Sequence, residues 1–140
     1  MGLEGQHILV VEADAARRRL IERVLIEEGF SVTAVADAVS AIRAAKGRVY
    51  ALAVVAAALP GSLDGAATVR LARRSQPGLR ALFTAGAAEP RDRIPLLDEV
   101  IVTPLRRAEL LGCVFKLLQR ESLPDDSDLA LRWRERRRVR

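Results

Sequence analysis

Short apolar runs alternate with longer amphipathic segments along this chain of 140 residues. The run His7-Ile-Leu-Val-Val11 is continuous and rich in β-branched residues, which is typical of a buried parallel strand. The same criterion predicts four more strands, over residues 30–35, 51–55, 79–84 and 100–102. Polar, turn-forming residues separate these runs, so each strand is expected to be short and to lie inside the protein.

Helical segments lie between the predicted strands. Asp14 is placed to cap the first helix, and Gly29 to end it in a left-handed conformation. The apolar stripe predicted for this helix comprises Ala16, Leu20, Ile21, Val24 and Leu25. Further helices are predicted over about residues 38–45, over 64–74 with Asp64 as the cap, and over 106–120. Between residues 85 and 102, Pro90 and Pro95 predict a short or irregular helix.

This order of elements predicts an α/β fold, with a doubly wound five-stranded parallel sheet and helices on both faces. In such folds a site lies at the carboxyl ends of the strands, at a topological switch point. For this chain those ends are Glu12-Ala13, Ala56, Thr84 and Thr103. We therefore expect any functional site to be built from these positions.

Four short motifs in a fixed order carry a family resemblance. They are Ile-Leu-Val-Val-Glu at 8–12, Leu-Pro-Gly-Ser-Leu-Asp-Gly at 59–65, Leu-Phe-Thr-Ala at 82–85 and Val-Thr-Pro-Leu at 102–105. Together they resemble the receiver domain of response regulators in bacterial two-component signalling, over about residues 7–120. The resemblance implies the flavodoxin-like receiver fold and a signalling role.

The resemblance also assigns family roles to individual positions, and several of them have lost the expected side chain. The acidic pair reads Glu12-Ala13, the phosphoacceptor aspartate is Ala56, and the lysine before the retained Pro104 is Thr103. The switch aromatic is Val100, whereas the signalling hydroxyl is kept as Thr84. The vestigial site implied in this way consists of Glu12, Ala13, Ala56, Thr84, Thr103 and Pro104. The Thr103–Pro104 bond is expected to be cis, as the matching bond of receivers commonly is.

Phosphoryl transfer to a carboxylate needs a nucleophile, Mg²⁺ and a cation that balances the developing charge. Ala56 supplies no nucleophile, and Thr103 supplies no charge. We therefore predict a pseudo-receiver: no catalytic residue, no metal, no cofactor, and no enzyme activity. For Thr84 two roles stay open, namely a remnant of the phosphoryl contact or a hydroxyl that bonds a backbone carbonyl at the strand end.

The remaining candidate chemistry is sparse. His7 is the single histidine, so a metal cluster or a Ser-His-Asp arrangement is not supported, and a surface position at the start of the first strand is expected. Asp14 and Asp64 are explained as helix caps rather than as a metal ligand or a substitute acceptor. Cys113 cannot form an internal disulfide and is expected to be a small core residue.

The net charge of +5 is concentrated at the C-terminus. Residues 132–140 contain six arginines and one glutamate, whereas the remaining residues contain 17 basic and 17 acidic side chains. We predict a receiver-like domain over 1–121, followed by a linker and basic tail over 122–140. The residues proposed for polyanion contact are Arg132, Trp133, Arg134, Arg136, Arg137, Arg138 and Arg140. An anionic membrane surface, an acidic partner protein and a solvated terminus are the alternatives.

Three functions remain open from the sequence. The first is a phosphorylation-independent interaction or dimerisation module of a bacterial two-component or phosphorelay pathway, which binds a histidine kinase, another regulator or a second copy of itself. The second is a nucleic-acid-associated regulator that binds through residues 129–140. The third is a small-molecule binder that uses the vacated pocket. Since no apolar run approaches the ~20 residues of a membrane span, we expect a soluble, cytoplasmic protein.

Overall fold

The computed structural model describes residues 6–86 and 99–119. Nine elements lie in these ranges, and strands alternate with helices from β1 to β4 as the sequence pattern predicts. Their bounds are β1 His7–Val11, α1 Ala15–Glu27, β2 Ser31–Val35, α2 Ala38–Gly47, β3 Leu52–Ala56, α3 Gly65–Ala72, β4 Ala81–Ala85, β5 Glu99–Val102 and α4 Arg107–Leu118. The strand and helix ends differ from the predicted ones by one to a few residues, which is the usual uncertainty of element boundaries.

The five strands form one parallel sheet in the order β2-β1-β3-β4-β5. This order confirms the predicted fold class. The chain crosses to one side of β1 to form β2 and then to the other side to form β3, so the topological switch point lies between the carboxyl ends of β1 and β3. Ala56 ends β3 at this point, and Glu12 directly follows β1.

Both faces of the sheet are covered, each by its own apolar cluster. On one face, alternate strand residues pack with α1 and α4; this cluster includes Val10, Val54, Leu82, Ile21 and Val114. On the other face, the intervening strand residues pack with α2 and α3; this cluster includes Val11, Val55, Phe83, Ala41 and Val69. Strands buried on both faces must read as continuous apolar runs, which explains the sequence pattern.

The predicted helix caps are confirmed. A carboxylate oxygen of Asp14 accepts a hydrogen bond from the Arg17 backbone N–H at 2.8 Å, and one of Asp64 accepts from the Ala67 N–H at 2.8 Å. Gly29 follows α1 with a φ of 97°. These contacts satisfy N–H groups that have no partner inside the first turn of each helix.

The predicted stripe of α1 is wrong at two positions. Ile21, Val24 and Leu25 are buried, whereas Ala16 and Leu20 are exposed. Ala16, Leu20 and Val24 form one row of residues spaced by four. This row runs along the side of the face that Ile21, Val24 and Leu25 bury, so its first two members are exposed.

Two predictions lie outside the described residues: the irregular helix around Pro90 and Pro95, and the basic tail over 122–140. Within residues 6–86 and 99–119, none of the helices combines the length and hydropathy that a membrane span requires.

Candidate functional site at the carboxyl edge of the sheet

The strand register brings four of the predicted positions together. Ala56 is paired with Thr84 across β3 and β4, and Val11 with Val55 across β1 and β3, so Glu12 follows alongside Ala56. The backbone N–H of Thr103 donates to the carbonyl of Ala85 at 2.8 Å, which continues the pairing of β4 with β5. The carboxyl ends of four neighbouring strands therefore meet in one place.

Side-chain alternation places these residues on one face of the sheet. Glu12, Ala56 and Thr84 are each two positions beyond a residue that packs toward α1 and α4, namely Val10, Val54 and Leu82. They line a cavity of about 80 Å³, whose wall consists of Glu12, Arg17, Ala56, Ala58, Thr84, Ala85, Gly86 and Thr103. The other two predicted positions, Ala13 and Pro104, are exposed and are not part of this wall.

Glu12 is the buried acidic group of the site, with 3 % of its surface exposed. One carboxylate oxygen accepts a hydrogen bond from the Asp14 backbone N–H at 3.0 Å. The other accepts from Nε of Arg17 at 2.9 Å, which forms an ion pair. Both oxygens of the buried carboxylate are thus engaged by the segment that starts α1.

Sequence reasoning missed Arg17 as a residue of the site. It lies five positions after Glu12, in the first turn of α1, and its side chain is 44 % exposed. The sequence did contain a signal for an arginine with an acidic partner. The first turn of α1 holds no acidic residue, and a run of three arginines begins there at position 17. Cations are unfavourable near the positive end of a helix dipole unless a nearby anion compensates. Glu12 is that anion.

A second arginine holds the backbone of the same loop. Nη1 of Arg18 donates to the carbonyl of Glu12 at 2.9 Å and to that of Ala13 at 3.3 Å. Arg17 therefore binds the side chain of Glu12, whereas Arg18 binds the main-chain carbonyls of Glu12 and Ala13. The start of the loop between β1 and α1 is held by both arginines.

The two threonines of the site differ in their surroundings. Thr84 is 4 % exposed and Thr103 is half-buried; both line the cavity. The Thr103–Pro104 peptide bond is cis, as the sequence predicts. Val100, at the predicted switch position, packs against the apolar cluster of α2 and α3.

Gly65 explains the shape of the loop that follows β3. A Cβ atom at this position would collide with the backbone carbonyl oxygen of Ala56 and would crowd Cα of Ala57. The Gly65 N–H also donates to the carbonyl of Ala57 at 2.9 Å. The start of α3 therefore lies directly on the end of β3, where only a glycine allows so close a contact.

Two other predicted residues lie away from the site. His7 is the first residue of β1, and both of its ring nitrogens have polar neighbours. Nε2 lies 3.1 Å from the Thr33 hydroxyl, and Nδ1 lies 2.9 Å from Nη1 of Arg48. The ring also contacts Tyr50 edge-on. Burial, together with the positive charge of Arg48, lowers the pKa of His7. Cys113 packs against the cluster of α1 and α4, and burial raises the pKa of its thiol.

Comparison with known proteins agrees with this geometry. The family model described as the response regulator receiver domain matches residues 8–121. The protein PetR of Rhodobacter capsulatus is 34 % identical over 124 residues, which cover 86 % of this chain and 52 % of PetR. The transcriptional regulatory protein TcrA of Mycobacterium tuberculosis is 32 % identical over 126 residues, which cover 87 % of this chain and 49 % of TcrA. The chain thus spans about half the length of these relatives.

Solved structures share the architecture. A response regulator receiver protein from Sinorhizobium medicae superposes with a TM-score of 0.75 at 28 % identity, covering 84 % of this chain and 97 % of that one. The receiver domain of a sensor histidine kinase from Pseudomonas aeruginosa superposes with a TM-score of 0.73 at 29 % identity, covering 83 % and 99 %. That second structure holds a magnesium ion in its active site cleft.

Proposed function

The chain belongs to the response regulator receiver domain family of two-component signalling proteins, and from that membership we propose that it signals by binding a protein partner, without a phosphorylation switch. The observation that carries this proposal is the side chain at position 56. Ala56 lies at the carboxyl end of β3, beside Thr84 and at the switch point of the sheet. A methyl group there cannot accept a phosphoryl group.

The rest of the cavity wall supports the same proposal. Phosphoryl transfer needs a nucleophile, a divalent cation and a balancing positive charge at the reacting oxygens. Glu12 is the one carboxylate among the described residues of the wall, and Arg17 already pairs with it. Thr103 contributes a hydroxyl where the family resemblance implies a lysine.

Val100 supports constitutive binding. A switch aromatic exchanges between an exposed and a buried position, whereas Val100 is β-branched and packs against the apolar cluster that contains its strand partner Phe83. A small, stiff side chain offers no second position of comparable burial. We therefore propose that the surface near β5 and α4 has a single conformation and binds its partner constitutively. The partner would be a histidine kinase, another regulator or a second copy of this chain.

The direct test is exposure of the native protein to acetyl phosphate, and separately to beryllofluoride, with Mg²⁺. We expect no phosphorylated species by intact-mass spectrometry and no change in the amide spectrum with beryllofluoride. A phosphorylatable receiver treated in the same way is the control. A stoichiometric phosphoprotein would refute the proposal.

A second function is proposed for the basic tail: nucleic-acid binding through residues 129–140. Six arginines with Trp133 in a nine-residue stretch favour it, since arginines neutralise phosphates and an aromatic ring stacks on bases. The relative TcrA is named a transcriptional regulatory protein. We expect polynucleotide binding that falls steeply with added salt and disappears when residues 129–140 are deleted. Salt-insensitive binding, or binding that survives the deletion, would refute this role.

A further inference from the structure

The described wall of the cavity does not fit the magnesium ion that a related receiver structure holds. Mg²⁺ takes about six oxygen ligands in near-octahedral geometry, anchored by one or two carboxylates. Among the described residues no group of three His, Cys, Asp or Glu side chains is arranged to hold a metal. The wall offers one carboxylate, two hydroxyls and backbone atoms. The donor set is therefore too poor in anionic oxygen.

The one carboxylate is, in addition, already occupied by a cation from the protein itself. Glu12 is 3 % exposed, its Oε1 accepts from Nε of Arg17 at 2.9 Å, and its Oε2 accepts from the Asp14 N–H. A metal that approached Oε1 would have to displace the guanidinium and would then lie beside a like charge, which is unfavourable in a partly desolvated site.

We infer that Arg17 takes the place of the metal: its guanidinium is an internal counter-ion that neutralises Glu12 permanently and closes the carboxyl edge of the sheet to divalent cations. This inference deepens the proposed function and rests on it, because it gives a reason why the cavity does not support a phosphoryl transfer that needs Mg²⁺. It adds that the missing aspartates are not the only obstacle to binding of a divalent cation. Arg17 would exclude the metal even where acidic ligands are restored.

Arg17 is well placed for this role. It lies in the first turn of α1, whose backbone is held by the Asp14 cap and by the Arg18 contacts to the preceding loop. Its Nε is therefore presented to Glu12 by a braced segment rather than by a free loop. A guanidinium is the side-chain cation that stays charged throughout the ordinary working range of pH, and its planar group suits pairing with a carboxylate.

The test restores the acidic ligands and then removes the arginine. Mn²⁺, which prefers the same oxygen ligands, is titrated into the A13D/A56D protein and into the A13D/A56D/R17Q protein, and free Mn²⁺ is measured by electron paramagnetic resonance. We expect A13D/A56D/R17Q to bind at least about tenfold more tightly, because a charge within about 4–6 Å shifts the ionisation equilibrium of a carboxylate by one to three powers of ten and repels a bound cation by the same Coulomb interaction. Equal affinity of the two proteins would overturn the inference.

Two control variants separate charge from other effects. A13D/A56D/R17K keeps the positive charge and is expected to bind Mn²⁺ as weakly as A13D/A56D. A13D/A56D/R19Q removes an exposed arginine two residues further along α1 and is also expected to leave the affinity unchanged. Tight Mn²⁺ binding by either control would show that the charge of Arg17 is not what prevents metal binding.

A thermal double-mutant cycle does not depend on the added aspartates. The melting temperatures of the native, Glu12→Gln, Arg17→Gln and doubly substituted proteins are compared by circular dichroism. We expect the double substitution to lower the melting temperature by less than the sum of the two single losses. Exact additivity would overturn the pairing. Phosphorylation of the native protein would instead refute the proposed function, so the two failures are distinguishable.

Discussion

The two edges of the sheet both carry polar side chains next to buried strands, but they differ in how those side chains are used. At the amino edge, His7 of β1 contacts Thr33 of β2 and Arg48 of the loop before β3. The Gln76 side chain bonds three backbone groups, one in α2 and two in the loop before β3. At the carboxyl edge, hydroxyls and methyl groups face a cavity of about 80 Å³, and one ion pair holds its wall.

Polar groups at the amino edge bond to one another and tie neighbouring segments to the strands, which is a structural use. The carboxyl edge has the parallel strand register and the cis Thr103–Pro104 bond, and the residues at its strand ends face a cavity. It is therefore the edge at which we propose the signalling function. Four substitutions test this contrast between the two edges, and they are given in order of decreasing expected effect.

Replacement of Gly65 by alanine is expected to have the largest effect. The new Cβ would collide with the Ala56 carbonyl oxygen, which belongs to the backbone and cannot rotate away. We expect the free energy of unfolding to fall by about 3 kcal/mol, at the upper end of overpacking effects, measured by urea denaturation. Gly47→Ala is the matched control, since a Cβ there meets nothing within 4 Å. Equal stability of the two variants would show that the loop after β3 adjusts freely.

Gln76→Ala tests the amino edge. The amide oxygen of Gln76 accepts from the Tyr50 N–H at 2.9 Å, and its amide nitrogen donates to the carbonyls of Ala45 at 2.7 Å and Arg48 at 2.6 Å. Because the substitution leaves a backbone N–H of a buried residue without its partner, we expect a loss of about 2 kcal/mol in the same measurement. Gln119→Ala, at the exposed end of α4, is the control. A loss no greater than that of the control would contradict a structural role for this edge.

Arg17→Gln tests the ion pair at the carboxyl edge. Glu12 is buried, so removal of its counter-charge costs stability, but Arg17 is nearly half exposed and solvent screens the pair. We therefore expect a loss of only about 1 kcal/mol. Arg19→Gln, on the exposed side of α1, is expected to change stability less than this. Indistinguishable losses for the two variants would argue against a specific pair.

The smallest effect concerns pH at the amino edge. Burial and the Arg48 charge lower the pKa of His7 below its ordinary value of 6.5. The unfolded chain therefore binds this proton more readily than the folded chain does. The contribution of His7 to stability is then fully present above pH 6.5 and is lost as the pH falls below it. His7→Gln, which removes the single histidine, should flatten the stability difference between pH 7.5 and 5.5. An unchanged slope would exclude His7 as its source.

The elements and the fold class were predictable from the sequence because strand burial leaves a local record. Leu52–Ala56 is buried along its whole length and reads as an apolar run, and Asp14 and Asp64 mark the starts of α1 and α3. The site could be located for the same reason, since Glu12, Ala56 and Thr84 follow directly from the ends of predicted strands. The error at Ala16 and Leu20 arose because helical spacing identifies rows of apolar residues but not the row on which the buried face is centred.

The identity of residue 56, an alanine, and the order of strands and helices could be read from the chain alone, because they depend on residue identity and local periodicity. The contact between the Arg17 guanidinium and the buried Glu12 carboxylate, five residues earlier, could be seen only in the folded protein. That contact depends on the direction in which α1 leaves the sheet, which no local pattern specifies. Arg17 and Glu12 could each be read from the chain, but their pairing could not.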